Sequence, residues 1–409
     1  MKLKIVLCFL LFQTVFYSLT AQEATPNVVG NKQVISSKIL NQDREISIYL
    51  PADYKKTAYP VLYIVDGQRY FLNGVLYQNT LQWQDKTPPF IVVGIHTQQR
   101  QRRKLLYPDA QKFIQFLTDE LIPFVEKNYN AAPKRFYFGW EMAGGLALEL
   151  LAQPENIFTA FFIASPTHIT KARLSSLRKK LVTQGNTTEF FYVTLSPSEH
   201  WATESVNQFK SLLSSTVLPK TTWKFDSLPS ENHHSTPTLT LHKGLNLYFS
   251  DYPYLRFNSL NDFNQYGGLA QLKVHYAKRG DKYNTSKEIH KSTKHFLLLQ
   301  AMKENNYPAF ALFMKEFGNY YQTKTRDLWF NRYAQFYLQH QKTNKAIEVL
   351  SIGLSKFKKS AILLRSLGDA HLQQGNKAKA KVFYTRAFET AIQNEDKNIE
   401  AYRLKLEGI

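Results

Sequence analysis

Short apolar runs alternate with longer amphipathic stretches between residues 30 and 250, and this alternation constrains the fold more than any other feature. Six runs rich in Val, Ile, Phe and Tyr have the length of strands; they are 44–51, 60–67, 90–95, 135–139, 160–165 and 189–195. Several are apolar at every position, which is typical of strands that helices cover on both faces. Longer stretches such as 110–129 carry apolar residues at helical spacing. The pattern predicts an α/β fold with a mostly parallel sheet over residues 22–254.

The strand pattern ends near residue 255, and the rest of the chain is helical, basic and aromatic. Five positions, Ala334, Tyr337, Ala346, Leu350 and Gly353, are followed 34 residues later by Gly368, His371, Ala380, Tyr384 and Ala387. This is the period of tetratricopeptide repeats, and small residues at three of the five places let two helices pack closely. We therefore predict an all-α domain at 255–409 with tetratricopeptide-like repeats at about 330–391. A plain helical bundle is the alternative.

The first 21 residues have the pattern of a secretory signal peptide. Two lysines precede an apolar run that Gln13 interrupts, and Thr20 and Ala21 lead into a polar segment. A membrane anchor is the alternative, but the run is short for a span. We predict removal of 1–21 and export to the periplasm or the exterior of a bacterium. Because Cys8 is the only cysteine, the mature chain would have no thiol, disulfide or Cys-metal site, and we expect neither a cofactor nor a metal.

The chain is strongly basic, with a formal net charge of +20 and an isoelectric point near 9.6. Such a balance suits nucleic acid or an anionic surface, and export argues against nucleic acid. Much of the excess is dispersed along helical segments after residue 270, as solvated charge usually is. The dense cluster is "RQRRK" at 100–104. An anionic envelope polymer or membrane surface is therefore one predicted partner class.

The stretch "FYFGWEMAGGLALELL", residues 136–151, predicts a strand, a compact turn and a helix. This is the context in which a hydrolase carries G-x-S-x-G, with the nucleophilic serine on the turn. Glu141 occupies the serine position, and Trp140 precedes it. The chain thus has a carboxylate where a reactive hydroxyl belongs.

The other parts of such a site follow in the chain order that hydrolases of this kind use, nucleophile, acid and histidine. Met142 and Gln68, the latter after "YIVDG", are candidates to donate backbone N–H groups to an oxyanion. Glu199 lies just past the strand at 189–195, where an acid belongs, and His233, followed by His234, lies in a polar loop before an amphipathic helix. An ordinary loop carboxylate and a surface histidine are the alternatives.

Together these segments resemble a known family. The segments "YPVLYIVDGQRYF", "FIVVGI", "FIQFLTDELIPFVEKNY", "RFYFGWEMAGGLALELL", "FIASPT" and "ENHHSTPTLTLHKGL" are similar to the esterase family that includes esterase D and the ferric-enterobactin esterases, within the α/β-hydrolase superfamily. The resemblance implies a three-layer sandwich, and some members carry a helical, tetratricopeptide-like extension. The family's Gly-His-Ser elbow corresponds to 139–141, its histidine to His233 and its acid to Glu199.

The departures from the family pattern lie where the chemistry would be. Glu141 replaces the serine, Trp140 the histidine before it and Ala143 the second elbow glycine, and "RRKLLYP" has Leu105 where members tend to carry an aspartate. A glutamate that attacked an ester would form an anhydride, and loss of the nucleophile costs about a million-fold in such enzymes. We therefore expect no ordinary esterase activity.

Several roles for this carboxylate and its surroundings remain open. In relatives an aspartate at the elbow displaces halide or opens an epoxide, a carboxylate can act as a base on water, and Ser165 or Ser198 could replace the nucleophile. The most economical interpretation places the Glu141 carboxylate at the start of the following helix, where the helix dipole favours an anion. It would then fill the oxyanion hole, with His233 as its cationic partner.

Three functions follow from these observations. The leading hypothesis is an exported, catalytically degenerate esterase-like domain that binds an ester-like small molecule, fused to helical repeats that bind a peptide or protein. The second is an active carboxylic-ester hydrolase, of the siderophore or acylated-sugar ester class, with a non-standard nucleophile. The third is a basic module that binds anionic envelope polymers.

Overall fold

The computed structural model describes residue 25 and residues 27–98, 100–108, 110–183, 190–218 and 221–409. The predicted signal peptide and Cys8 lie outside the described residues. The chain divides into two compact units, the first ending at Tyr248 and the second beginning at Phe249. The second unit also includes Leu81–Pro88. The observed division lies six residues before the predicted boundary at 254.

One eight-stranded sheet forms the centre of the first unit. Its strands are β1 Asn31–Ser37, β2 Gln42–Tyr49, β3 Tyr59–Val65, β4 Ile91–Ile95, β5 Ala131–Trp140, β6 Ala160–Ala164, β7 Phe190–Leu195 and β8 Thr222–Ser227. The strand order is β1-β2-β4-β3-β5-β6-β7-β8. β1 and β2 pair antiparallel, as do β2 and β4, and all other pairs are parallel. The prediction of a mostly parallel sheet is confirmed.

Helices cover both faces of this sheet, so the unit has three layers. The helices are α1 Gly67–Trp83, α2 Arg102–Leu106, α3 Gln111–Gln115, α4 Ile122–Asn128, α5 Met142–Leu151, α6 Lys171–Thr183, α7 His200–Ser214 and α8 Thr236–Tyr248, with a π-helical turn at Phe116–Leu121 joining α3 to α4. On one face, Gly74 of α1 packs against Ile64, and Gly244 of α8 packs against Phe162. The opposite face packs against residues of α2 to α7 in the main apolar core.

Two strands, β1 and β8, were not predicted from the sequence. They are the two edges of the sheet, and their sequences, NKQVISS and TWKFDS, mix polar with apolar residues and are partly exposed. An edge strand is covered less completely than a central one, so it lacks the continuous apolar run that identified the other six. The last strand is therefore β8 rather than the run at 189–195.

The second unit is all helical. Its helices are α9 Leu260–Gln265, α10 Gly268–Tyr283, α11 Lys291–Lys303, α12 Tyr307–Glu316, α13 Asp327–Gln339, α14 Thr343–Lys356, α15 Ala361–Gln373, α16 Lys377–Gln393 and α17 Ile399–Glu407, with a 3-10 turn at Gly318–Thr323. α15 and α16 begin 34 residues after α13 and α14. A side chain at Gly368 would overlap the ring of Tyr384, which explains the small residue there. The assignment of this pattern to tetratricopeptide repeats stays a prediction.

Among the helices of the described segments, none is long and apolar enough to cross a membrane.

Candidate functional site

The elbow between β5 and α5 keeps the backbone geometry of a nucleophile turn. Glu141 has φ 56° and ψ −117°, a left-handed conformation that costs a side-chain-bearing residue free energy. Its N–H donates to Ala164 at 3.1 Å, and its carbonyl accepts from Gly145 and Thr167 at 3.0 Å each. A Cβ on Gly139 would lie 2.5 Å from the carbonyl oxygen of Ala143. The turn is tightly held although its central residue is a glutamate.

The Glu141 carboxylate pairs with Arg102, which the sequence did not identify as a site residue. Nη1 of Arg102 lies 2.5 Å from Oε2 of Glu141. Nε and Nη2 of the same guanidinium donate to the two carboxylate oxygens of Asp66 at 2.8 Å each, and Nη2 also contacts the carbonyl of Trp140 at 3.2 Å. The guanidinium therefore joins a fully buried carboxylate to one whose side chain is 26% exposed.

Charge balance explains why an arginine can be buried at this place. Burial lowers the pKa of Arg102, but its bonds and attraction to Asp66 and Glu141 outweigh burial and raise the pKa. Asp66 also accepts a hydrogen bond from Thr97 Oγ1 at 2.5 Å. An arginine fork bound to both oxygens of a carboxylate is strongly oriented. Arg102 is thus a fixed cation aimed at the elbow.

This pairing differs from the arrangement expected from the sequence. The hydrogen bond given to the Glu141 carboxylate comes from Arg102, whereas the expected cationic partner, His233, bonds to Glu199. Met142 is the first residue of α5, and the side chain of Gln68 exchanges two hydrogen bonds with Thr97, each 3.2 Å long. His233 is therefore not the cationic partner of Glu141 in this structure, and the filling of the oxyanion hole by Glu141 stays a prediction.

His233 and Glu199 form the acid–histidine pair of the site. Nδ1 of His233 lies 2.6 Å from Oε1 of Glu199, which is fully buried just before α7. Its other oxygen accepts hydrogen bonds from Ser165 Oγ and from the backbone N–H of Ser196, both at 2.8 Å. Burial raises the pKa of Glu199, but these three hydrogen bonds outweigh it and hold the pKa below the ordinary value of 4.5. At neutral pH Glu199 is a carboxylate, so Nδ1–H donates to it.

Aromatic side chains position the histidine. The indole Nε1–H of Trp140 donates to the backbone carbonyl of His233 at 2.8 Å, and the two rings lie 4.8 Å apart. Trp201, which is 66% exposed, has its ring 5.9 Å from the same imidazole. Trp140 therefore holds the loop that carries His233.

The two serines considered as replacement nucleophiles do not lie on the elbow. Ser165 is fully buried and donates to Glu199. Ser198 shares a 2.8 Å hydrogen bond with Ser196 Oγ. Ser165 thus supports the acid. Its position just after β6 did not predict this role, because the sequence alone does not show that Ser165 faces Glu199.

A signal for Arg102 was present in the sequence. It belongs to the "RRKLLYP" stretch that corresponds to an arginine-containing segment of the family. Its place in the dense basic cluster at 100–104 suggested a solvated charge instead, and that interpretation is wrong for Arg102, which is buried while Arg103 and Lys104 are exposed. Charge density alone does not distinguish a solvated arginine from one that pairs internally.

A pocket of 380 Å³ lies beside the predicted oxyanion donor. Its lining includes Gly67 and Gln68 at the start of α1, with Lys32, Arg69 and His96. This volume is in the range of small-molecule sites. In the part of the chain that the structure describes, no group of three or more His, Cys, Asp or Glu residues could hold a metal.

We predict that Ser165→Ala lowers the free energy of unfolding by about 1–2 kcal/mol at neutral pH, because a carboxylate loses a buried hydrogen bond. The depressed pKa of Glu199 contributes stability that is complete above 4.5 and is lost as the pH falls through the lower, folded-state value. The deficit of the variant should therefore shrink in acid. Urea unfolding over a pH series measures it, with Ser198→Ala as the control. A deficit of equal size at every pH would contradict this account.

The first unit matches a protein-family model. Residues 37–226 match the model described as "Putative esterase". No curated protein matches the chain.

Two solved structures with TM-scores above 0.5 share the fold at low sequence identity. An uncharacterised protein from Capnocytophaga ochracea is 17% identical, with a TM-score of 0.57, over 91% of this chain and 99% of that chain. An IroE-like serine hydrolase from Shewanella oneidensis is 18% identical, with a TM-score of 0.55, over 71% of this chain and 100% of that chain. The enterobactin esterase FES from Shigella flexneri is 16% identical, with a TM-score of 0.47, over 55% of this chain and 60% of that chain.

Proposed function

Because residues 37–226 belong to the esterase family, we propose that the first unit is an esterase-like domain that has lost serine-based hydrolysis and binds its ligand without cleaving it. One observation carries the proposal. The residue at the nucleophile position, Glu141, has its carboxylate held 2.5 Å from a guanidinium that Asp66 fixes in place.

The chemistry of this pair argues against covalent catalysis. A carboxylate bound to an arginine has its negative charge stabilised, so it is a weaker nucleophile than a free one. Its attack on an ester would leave an anhydride rather than the acyl-enzyme that a serine forms. Without the nucleophile, triad hydrolases lose about a million-fold in rate. The pair therefore leaves the elbow without an effective nucleophile.

The ligand class that we propose is a small molecule resembling an ester. The pocket beside Gln68 is lined by Lys32, Arg69 and His96 as well as by apolar side chains, and such a mixture suits a carbonyl compound with polar substituents. The second unit would contribute a surface for a peptide or protein partner, as helical repeats do.

We further propose that the protein is exported to the periplasm or secreted, on the strength of the sequence at 1–21. Fractionation and N-terminal sequencing of the mature chain test this, and a mature chain that retains residues 1–21 would contradict it. An anionic envelope surface is a less favoured partner because Arg102 is buried, which leaves Arg100, Arg103 and Lys104 exposed in the basic cluster. Binding to an anionic polymer that disappears as salt rises would support that role.

We predict that the wild-type protein hydrolyses short-chain aryl esters at the rate of a nonspecific protein surface and that His233→Ala leaves this rate unchanged. Release of p-nitrophenol from its acetate and butyrate esters measures the rate. His234→Ala is the matched control, since it removes the neighbouring imidazole. A wild-type rate that falls in His233→Ala and not in His234→Ala would overturn the proposal.

The intact acid–histidine pair favours a second candidate, an active carboxylic-ester hydrolase of the siderophore or acylated-sugar ester class. With Nδ1 of His233 bonded to Glu199 at 2.6 Å, the other imidazole nitrogen could accept a proton from water that attacks the ester directly. Water would then be the non-standard nucleophile, because Ser165 and Ser198 are engaged elsewhere. The same ester assay separates the two candidates.

A further inference from the structure

The helical unit contains a second pocket with a cation at its wall. It has a volume of 470 Å³ and is lined by residues of α11, the 3-10 turn and α13, together with Tyr254. Lys324, His295 and Trp329 contribute side chains to the same pocket. These residues all belong to the second unit.

Two neutral acceptors hold the ammonium of Lys324. Nζ donates to the hydroxyl of Tyr320 at 2.6 Å and lies 3.0 Å from Nδ1 of His295. An ammonium group has three protons and no acceptor, so Nδ1 of His295 accepts and the imidazole is neutral. One proton of Lys324 remains for a further acceptor.

The charge around this ammonium is positive. Arg332 lies over the Trp329 ring, with the guanidinium carbon 4.8 Å from the ring centroid, and Lys291 lines the pocket. The surroundings include two carboxylates: Glu288, 3.8 Å from Nζ of Lys294, and Asp85, whose charge acts on His290. Within the described residues no carboxylate lies within ion-pair distance of Lys324, Lys291 or Arg332. These three cationic side chains therefore lie at or near the pocket without a carboxylate paired to them among the described residues.

Aromatic rings form the remaining walls. The Tyr254 ring is nearly parallel to the rings of His290 and Phe296, at centroid distances of 5.4 and 6.0 Å. Trp329 meets His295 edge to face at 4.5 Å. Partly exposed flat rings favour a planar apolar group.

We propose that this pocket is a binding site for an aromatic carboxylate, with the carboxylate bound by Lys324 and the ring packed against Tyr254 and Trp329. The anion would supply the acceptor for the third proton of Lys324 and would offset one of the two positive charges of Lys324 and Arg332. The volume accommodates a small organic molecule and excludes a folded partner.

The electrostatics of the side chains agree with this geometry. Burial lowers the pKa of Lys324 to about 8. Burial, and then the positive charges of Lys324 and Arg332, lower the pKa of His295 to about 4. The shift of His295 reflects neighbouring positive charge and that of Lys324 reflects burial alone, and a bound carboxylate would oppose both by favouring the protonated forms.

Calorimetric titration of the full chain with 2-naphthoate and with its neutral counterpart, 2-naphthamide, tests the proposal. We expect the amide to bind about tenfold more weakly, because a charge-assisted hydrogen bond is lost. Lys324→Met should weaken naphthoate binding about tenfold and leave amide binding unchanged. Lys358→Met, at an exposed lysine of the same unit, should change neither. Circular dichroism verifies that the variants fold.

A second measurement uses the wild-type protein alone. 2-Naphthoate should slow acetylation of the Lys324 amine by N-hydroxysuccinimidyl acetate several-fold, as read by peptide mass spectrometry, and should leave Lys358 unaffected. Equal affinities for acid and amide, unchanged naphthoate binding in Lys324→Met, or an unchanged acetylation rate at Lys324 would each overturn the proposal.

Discussion

Glu141→Ser is expected to create an esterase activity that depends on His233. Of the parts such an enzyme needs, the described structure already has the strained elbow, with φ 56° at this residue, and a histidine whose Nδ1 is 2.6 Å from a buried acid. A serine at the elbow would supply the missing hydroxyl. The nucleophile accounts for about a million-fold of rate in triad enzymes. We therefore expect Glu141→Ser to hydrolyse esters on the order of a hundred-fold or more faster than wild type, which is a partial recovery of that rate.

Two measurements detect the new nucleophile. Release of p-nitrophenol from short-chain esters gives the rate, and a fluorophosphonate probe gives covalent labelling at the elbow. Glu141→Ala is the control for simple removal of the carboxylate from Arg102, and it should be as inactive as wild type. The double variant Glu141→Ser/His233→Ala should lose the gained activity.

A folded but inactive and unlabelled Glu141→Ser would show that more than the nucleophile is missing. Trp140 in place of the family's histidine, or the absence of a usable oxyanion hole at Met142 and Gln68, would then limit the reaction. Equal activity in Glu141→Ala would contradict a serine-based mechanism.

Arg102→Met is expected to lower the free energy of unfolding by about 3–5 kcal/mol, the usual cost of leaving a buried charge without its partner. Methionine keeps most of the apolar stem and removes the fork that binds both oxygens of Asp66. That carboxylate is fully buried and would keep only the hydrogen bond from Thr97 among the side-chain donors described. The loss should arise mainly at Asp66, since Glu141 is partly exposed.

Chemical unfolding in urea measures this loss. Lys104→Met, two residues away on an exposed position, should change stability by less than about 0.5 kcal/mol. Adding Asp66→Asn to Arg102→Met removes the orphaned charge and should restore part of the stability, so the two substitutions would be non-additive. An Arg102→Met variant as stable as Lys104→Met would show that the cluster contributes little to folding.

The central strands could be predicted because burial on both faces demands apolar residues along the whole strand, and β3, β4 and β6 meet that demand between Tyr59 and Val65, Ile91 and Ile95, and Ala160 and Ala164. The edge strands could not, because β1 and β8 are half exposed and their sequences resemble loops. The helix predicted at 110–129 is present as α3, a π turn and α4 in succession. Helical spacing does not reveal the extra residue of a π turn.

The candidate site was likewise predictable only in part from the sequence. Local sequence located Glu141, since strand, tight turn and helix are adjacent in the chain, and it placed His233 in a loop ahead of α8. The partners of these residues lie far away along the chain, 39 residues from Glu141 to Arg102 and 34 from His233 to Glu199. Chain order and the resemblance to a family together proposed Glu199 and His233 as members of one site, whereas the pairing of Glu141 with Arg102 was not predicted.

The sequence by itself determined the fold class and the place of the elbow, because periodic burial and turn chemistry are local properties of the chain. Only the tertiary structure decided what Glu141 bonds to. Parallel strands bring their carboxyl ends to one edge of the sheet, and there the segment after β4 places Arg102 between Asp66 and Glu141. The partner of a buried charge is set by the side chains that folding places next to it. The distance between Arg102 and Glu141 in the folded chain cannot be derived from a local sequence pattern.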